Sequence, residues 1–192
     1  MKISLNGLSV EKQSSSQFCW VAASFAVIRY FRFVVYDQLT VSSRLGVNSN
    51  TPGNPGKLLS HFGVLDETMT FDAPLAGIEA QQRAASLFQQ IAHTIQQGLP
   101  VVIGVKTTDT MIPFAHALVV CEIDDQARTI KLLDPARPTV PLVVNLETLL
   151  TEWTIYPNTP HDYVTVYSRY YYFTKKPQDG SKPQRNVRYH RK

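Results

Sequence analysis

Gln13-Ser14-Ser15-Ser16-Gln17-Phe18-Cys19-Trp20 puts an amide side chain six positions ahead of a cysteine that opens an apolar run. Ala22, Ala23, Ala26, Val27 and Tyr30 then recur at helical spacing, which predicts a helix from Cys19 to about Phe33. Ser14, Ser15 and Ser16 are its candidate caps. A thiol in the first turn of a helix meets the positive end of the macrodipole and a set of unpaired backbone N–H groups. Both favour the thiolate, so a thiol pKa of about 8.5 can fall by several units there, and further beside an imidazolium. The competing reading is a small buried apolar residue. Gln13 and Trp20 on either side of the thiol turn the balance toward a nucleophile.

Such a nucleophile needs a base, and the chain has five histidines. His116 stands at the mouth of the strand-like run His116-Ala-Leu-Val-Val and is the best placed. His93 falls off the apolar face of its helix, His61 sits at a helix end where a cation suits the dipole, His161 lies in a Pro-rich loop and His190 in the tail. Asp134, in Leu-Leu-Asp134-Pro, follows His116 by eighteen positions across one hairpin, a distance that two neighbouring strands can close. A carboxylate there would fix the imidazole tautomer and support its protonated form. The other reading of Asp134 is turn chemistry alone. Gln13 is the candidate oxyanion donor, together with the backbone N–H of Cys19. Gln17 lies too close to the cysteine to fold back over an attacked carbonyl. Cys121, five positions past His116, reads as core on the opposite strand face.

Around these residues the chain changes period. The stretch Val47–Lys57 is a Pro/Gly/Asn loop, Lys57–His61 a short helix stopped by Gly63, and Glu79–Gln97 a long helix with an apolar face of Leu87, Phe88, Ile91, Ala92 and Ile95. Strands are predicted at Val101–Lys106, Ala115–Ile123, Thr129–Leu133, Pro141–Val144 and Tyr163–Thr174, with a short helix at Leu146–Trp153. Helices first and an antiparallel sheet afterwards make an α+β domain over residues 1–174. Residues 175–192 form a basic, flexible tail.

Composition narrows the function classes. With 192 residues, 44% hydrophobic and 18% charged, the chain can build one sizeable core without covalent staples. Its net charge of +4 comes from the tail, which holds seven basic residues and one acid. The remaining body is slightly acidic, so nucleic acid is not an expected partner. Two cysteines make no disulfide framework. No Cys/His spacing fits a common metal site and no glycine-rich phosphate loop is present, so no metal or cofactor is expected. Met1–Gly7 is too short and polar for a secretory signal, and no apolar run reaches the roughly 18 residues of a membrane span.

Gln13…Cys19-Trp20, then Gln97-Gly-Leu-Pro-Val-Val-Ile-Gly-Val, His116-Ala-Leu-Val-Val and Leu-Leu-Asp134-Pro, resemble the papain-like cysteine peptidases over residues 10–155. The order is similar to the compact bacterial branch, which includes double-glycine leader peptidases and plant-pathogen effector peptidases. The resemblance implies a helical layer carrying Cys19, an antiparallel sheet carrying His116 and Asp134, and a cleft between them. It implies thiol-dependent hydrolysis of a protein or peptide substrate, with Gln13 stabilising the oxyanion. Deamidation or acyl transfer by the same residues, and a non-catalytic binding module on a peptidase-like scaffold, are the alternatives. The protein is expected to be cytoplasmic as synthesised, with export as an effector lacking a classical signal peptide as a further expectation. No inhibitor or immunity partner is specified.

Overall fold

The apolar runs beginning at Val101, His116 and Thr129 form the antiparallel ladder on which the remaining elements pack. The computed structural model describes residues 2–15, 18–33, 37–44, 53–72, 77–107, 116–145 and 166–178. The elements among them are β1 (Lys2–Ser4), α1 (Cys19–Tyr30), α2 (Gln38–Arg44), α3 (Pro55–His61), β2 (Leu65–Asp72), α4 (Gly77–Gln96), β3 (Val101–Thr107), β4 (His116–Asp124), β5 (Thr129–Leu133), β6 (Leu142–Asn145) and β7 (Val166–Thr174). The sheet runs β2-β7-β3-β4-β5-β6, with β1 added to β4. Every pairing is antiparallel.

Strand alternation divides the interior into two cores. Val101, Ile103, Leu118, Val120, Ile130, Leu132, Tyr171 and Phe173 face α4, which contributes Leu87, Phe88, Ile91 and Ile95. Val102, Ala117, Val119 and Tyr172 face α1 and α3. Both faces of the sheet are covered, which explains why its central strands read as nearly unbroken apolar runs. The expected α+β arrangement is present, with one refinement: the two long helices lie on opposite faces of the sheet rather than in one layer.

Helix α1 is buried at every position from Cys19 to Ile28, as expected of a helix apolar on all sides. It ends three residues before the expected boundary. Arg32 adopts a left-handed φ of 63°, its N–H bonds Arg29 O, and Phe33 N–H bonds Ile28 O. These two bonds define the Schellman termination usually built on glycine. Gly63 and Gly98 close α3 and α4 in the same way. Phe18 rather than a serine occupies the cap position of α1, and it makes no side-chain bond to the helix. Instead, Ser14 N–H is bonded to Gln38, and Ser15 O receives Phe18 N–H and the Gln13 amide. Helix α3 begins two residues earlier than expected, because Asn54 caps it through Gly56 N–H and Pro55 takes its first turn.

Two elements have no counterpart in the sequence expectations, α2 and the edge strand β2. The expected helix 146–153, most of the expected loop 47–57, the start of the expected strand at 163–165, Ser16, Gln17, His161, His190 and the tail from residue 179 lie outside the described residues. Lys175 still bonds the sheet, through its N–H to Val64 O. Among the described residues no helix is long and apolar enough to cross a membrane.

Backbone fits closely against two rings near the future site. Tyr172 packs between α3 and β3, where a Cβ at Gly56 or Gly104 would come within 2.9 or 3.2 Å of its ring. Gly53 lies so near the Trp20 indole that a Cβ there would overlap the ring. Gly53→Ala is therefore expected to lower stability by about 1–3 kcal/mol, as overpacking does. Urea unfolding measures the loss, and a shift of Trp20 emission in a Trp153→Phe background reports displacement of the ring.

Candidate active site

The site is assembled where the first residues of α1 meet the start of β4 and the end of β5. Cys19 is the first residue of α1 and is 5% exposed. No acidic residue stands in the first turn of α1 and Phe18 at its cap makes no side-chain bond, so the amide dipoles of this turn face the thiol. His116 opens β4, and Asp134 follows β5 directly. Pairing of Val119 with Leu133 brings these two strand ends side by side.

His116 Nε2 lies 2.6 Å from Asp134 Oδ1, and side-chain exposures of 9% and 2% put this contact out of water. The Cys19 side chain stands close enough to the imidazole to favour its protonated form. The structure thus brings together Cys19, His116 and Asp134. Burial is the largest influence on the His116 pKa and lowers it. The hydrogen bonds to Asp134 and Cys19 and the charges of both outweigh it, pushing the value up to about 9. Asp134 also serves as a turn residue, since Oδ1 accepts from Ala136 N–H at 2.8 Å and its carbonyl from Arg137 N–H at 3.0 Å. Asp134 therefore both contacts the imidazole and organises the turn.

The profile described as the Peptidase_C39 like family matches residues 6–160. The chain belongs to the Peptidase_C39-like family. It is a papain-like cysteine peptidase. Its fold is similar to the crystal structure of the peptidase domain of Streptococcus ComA, a bi-functional ABC transporter involved in a quorum-sensing pathway. The match has a TM-score of 0.54 at 14% identity and covers 89% of this chain and 99% of that domain. No curated protein sequence matches the chain.

In this C39-like peptidase Gln13 sits beside the carboxylate turn, its backbone N–H bonded to Pro135 O at 3.0 Å. Its side-chain nitrogen donates to Ser15 O at 3.0 Å. Gln38, in α2, was not anticipated. It is 5% exposed, and its amide bonds the backbone of Lys12 and Ser14. The only local sign of its position is the helix start Asp37-Gln-Leu-Thr40, in which Asp37 caps Thr40 N–H.

Cys121 is buried at a register shift of β4. It donates to Lys131 O, and burial pushes its thiol pKa up to about 11, so it stays protonated and inert. His93 and His61 are exposed, as expected. Among the described residues no group of His, Cys, Asp and Glu could hold a metal. An open cavity of about 880 Å³, lined by Asn6, Arg29, Arg32, Gln97 and Lys176 among others, lies at the far end of α1 from Cys19. The 12 residues of α1 separate it from the thiol by about 16 Å.

The raised His116 pKa has a definite sign. The folded protein favours the imidazolium, so the associated stability is complete below the unfolded value near 6.5 and is lost as pH rises through about 9. NMR titration of the His116 ring is expected to give a midpoint near 9. In Asp134→Asn the midpoint should fall by about one to three pH units. An unchanged midpoint would mean that the carboxylate does not hold the proton on the ring.

Proposed function

We propose that the protein hydrolyses a peptide bond in a protein or peptide substrate, with Cys19 as nucleophile, His116 as proton carrier, Asp134 as its orienting carboxylate, and Gln13 with the Cys19 N–H as oxyanion donors. The observation that carries this reading is one buried imidazole hydrogen-bonded to a carboxylate and influenced by the helix-terminal thiol of Cys19. Transfer of the Cys19 proton to the ring would give a thiolate–imidazolium pair as the attacking form, with the carboxylate fixing the ring.

The thiolate attacks the peptide carbonyl, and the carbonyl oxygen takes the electron pair. His116 protonates the departing amine as the C–N bond breaks, leaving a thioester on Cys19. The now neutral imidazole removes a proton from water, which attacks the thioester. Collapse of the second tetrahedral intermediate releases the acid and restores the pair. Both intermediates carry an oxyanion beside the N-terminus of α1, where the dipole favours negative charge. The Gln13 side-chain nitrogen carries two hydrogens, so its bond to Ser15 is compatible with donation to this oxygen.

A panel of peptides with and without a Gly-Gly step tests the reading, since family membership includes leader-type substrates among the candidates. Cleavage is expected to add one water across a broken bond. A change of about one mass unit without scission would instead indicate deamidation. Cys19→Ala should abolish turnover while the protein stays folded. Gln13→Ala should lower kcat about a hundredfold or more. Hydrolysis that survives Cys19→Ala would remove the assignment.

A further inference from the structure

We propose that Gln38 is a positioning residue for the oxyanion site. It would clamp the backbone on both sides of Gln13 and so set where the Gln13 amide stands relative to Cys19. This rests on the assignment of Gln13 as oxyanion donor.

Gln38 is a neutral amide at 5% exposure, and both of its polar atoms bond one short segment. Oε1 accepts from Ser14 N–H at 2.9 Å, and Nε2 donates to Lys12 O at 2.9 Å. The side chain thereby supplies the donor and acceptor that a neighbouring β-strand would supply. Gln13, between the two clamped residues, gives its own N–H to Pro135 O at 3.0 Å. Three bonds to two remote elements thus fix three consecutive residues of a segment that has no regular structure of its own. The clamp is anchored in turn, because Asp37 caps Thr40 N–H at 2.9 Å and bonds the Thr40 hydroxyl at 2.5 Å. Removing the amide would leave Lys12 O and Ser14 N–H to find water, and the backbone on either side of Gln13 would lose these two restraints. A donor displaced by about 1 Å loses much of its effect on a transition state.

Two reagents that attack the same sulfur separate this role from simple damage. With p-nitrophenyl acetate, the Cys19 sulfur forms a C–S bond through a tetrahedral oxyanion. The C–O bond then breaks, p-nitrophenolate leaves, and water later hydrolyses the acetyl thioester. With iodoacetamide, the C–S bond forms as iodide leaves and no oxyanion arises. Rates corrected with Cys19→Ala are measured for the wild type, Gln38→Leu, Gln13→Ala and the double variant.

Gln38→Leu is expected to slow acylation about tenfold or more while alkylation, its pH profile and its stoichiometry stay unchanged. In the Gln13→Ala background the same substitution should cost less than twofold, because the residue it positions is gone. Parallel losses in both reactions, or an undiminished loss in the Gln13→Ala background, would overturn the proposal while leaving the Gln13 assignment standing. Normal acylation in Gln13→Ala would overturn that assignment and the proposal with it. If Gln38→Leu does not fold, Gln38→Glu replaces it in the same comparison. Glutamate keeps the acceptor for Ser14 but sets a carboxylate oxygen against Lys12 O, so acylation should again fall relative to alkylation. An unchanged ratio would overturn the clamp.

Discussion

The turn Asp134-Pro135-Ala136 is the constraint on which the rest of the site depends. Within two residues it accepts the imidazole of His116, the N–H of Ala136 and the N–H of Gln13. It therefore joins the sheet to the segment that leads into α1. Cys19 reaches the same point from the other side, through α1 packing on β4. Neither layer alone contains the site, and the carboxylate turn fixes the distance between them.

Electrostatics and burial oppose each other here, and the outcome follows from how many partners the buried charge has. An imidazolium removed from water is disfavoured in isolation. His116 keeps its proton because a carboxylate at 2.6 Å and the Cys19 thiol both engage the ring. Cys121 shows the contrary case in the same strand. It is as buried as Cys19 but has only a carbonyl to donate to, and its pKa rises. Two buried cysteines of one chain thus meet different surroundings, a carbonyl for Cys121 and an imidazole for Cys19.

The legible parts of the fold were those whose residues repeat with a clear period. The strands β3, β4 and β5 and the helix α4 followed from their apolar patterns. Gly63 and Gly98 marked helix ends correctly because glycine takes positive φ without cost. The end of α1 was illegible for the same reason in reverse, since Arg32 takes that conformation and nothing in its side chain announces it. The edge strand β2 was hidden by Asp66, Glu67, Thr68 and Thr70 on exposed positions and by a register shift between Leu65 and Glu67. Cys19, His116 and Asp134 could be read from residue type, spacing and family likeness. Gln38 could not, because an amide that mimics a strand neighbour is defined only by the backbone it happens to face.

The last described strand is placed in the interior of the sheet. β7 lies between β2 and β3 and supplies the inner neighbour of each. On a growing polypeptide, two edges therefore wait unpaired until synthesis has passed residue 174, and unpaired edges invite association with other chains. Such late closure over long sequence separations is kinetically slow. The thiol-bearing helix and its imidazole are made well before that moment. A nascent chain thus carries Cys19 and His116 beside an open sheet until β7 arrives.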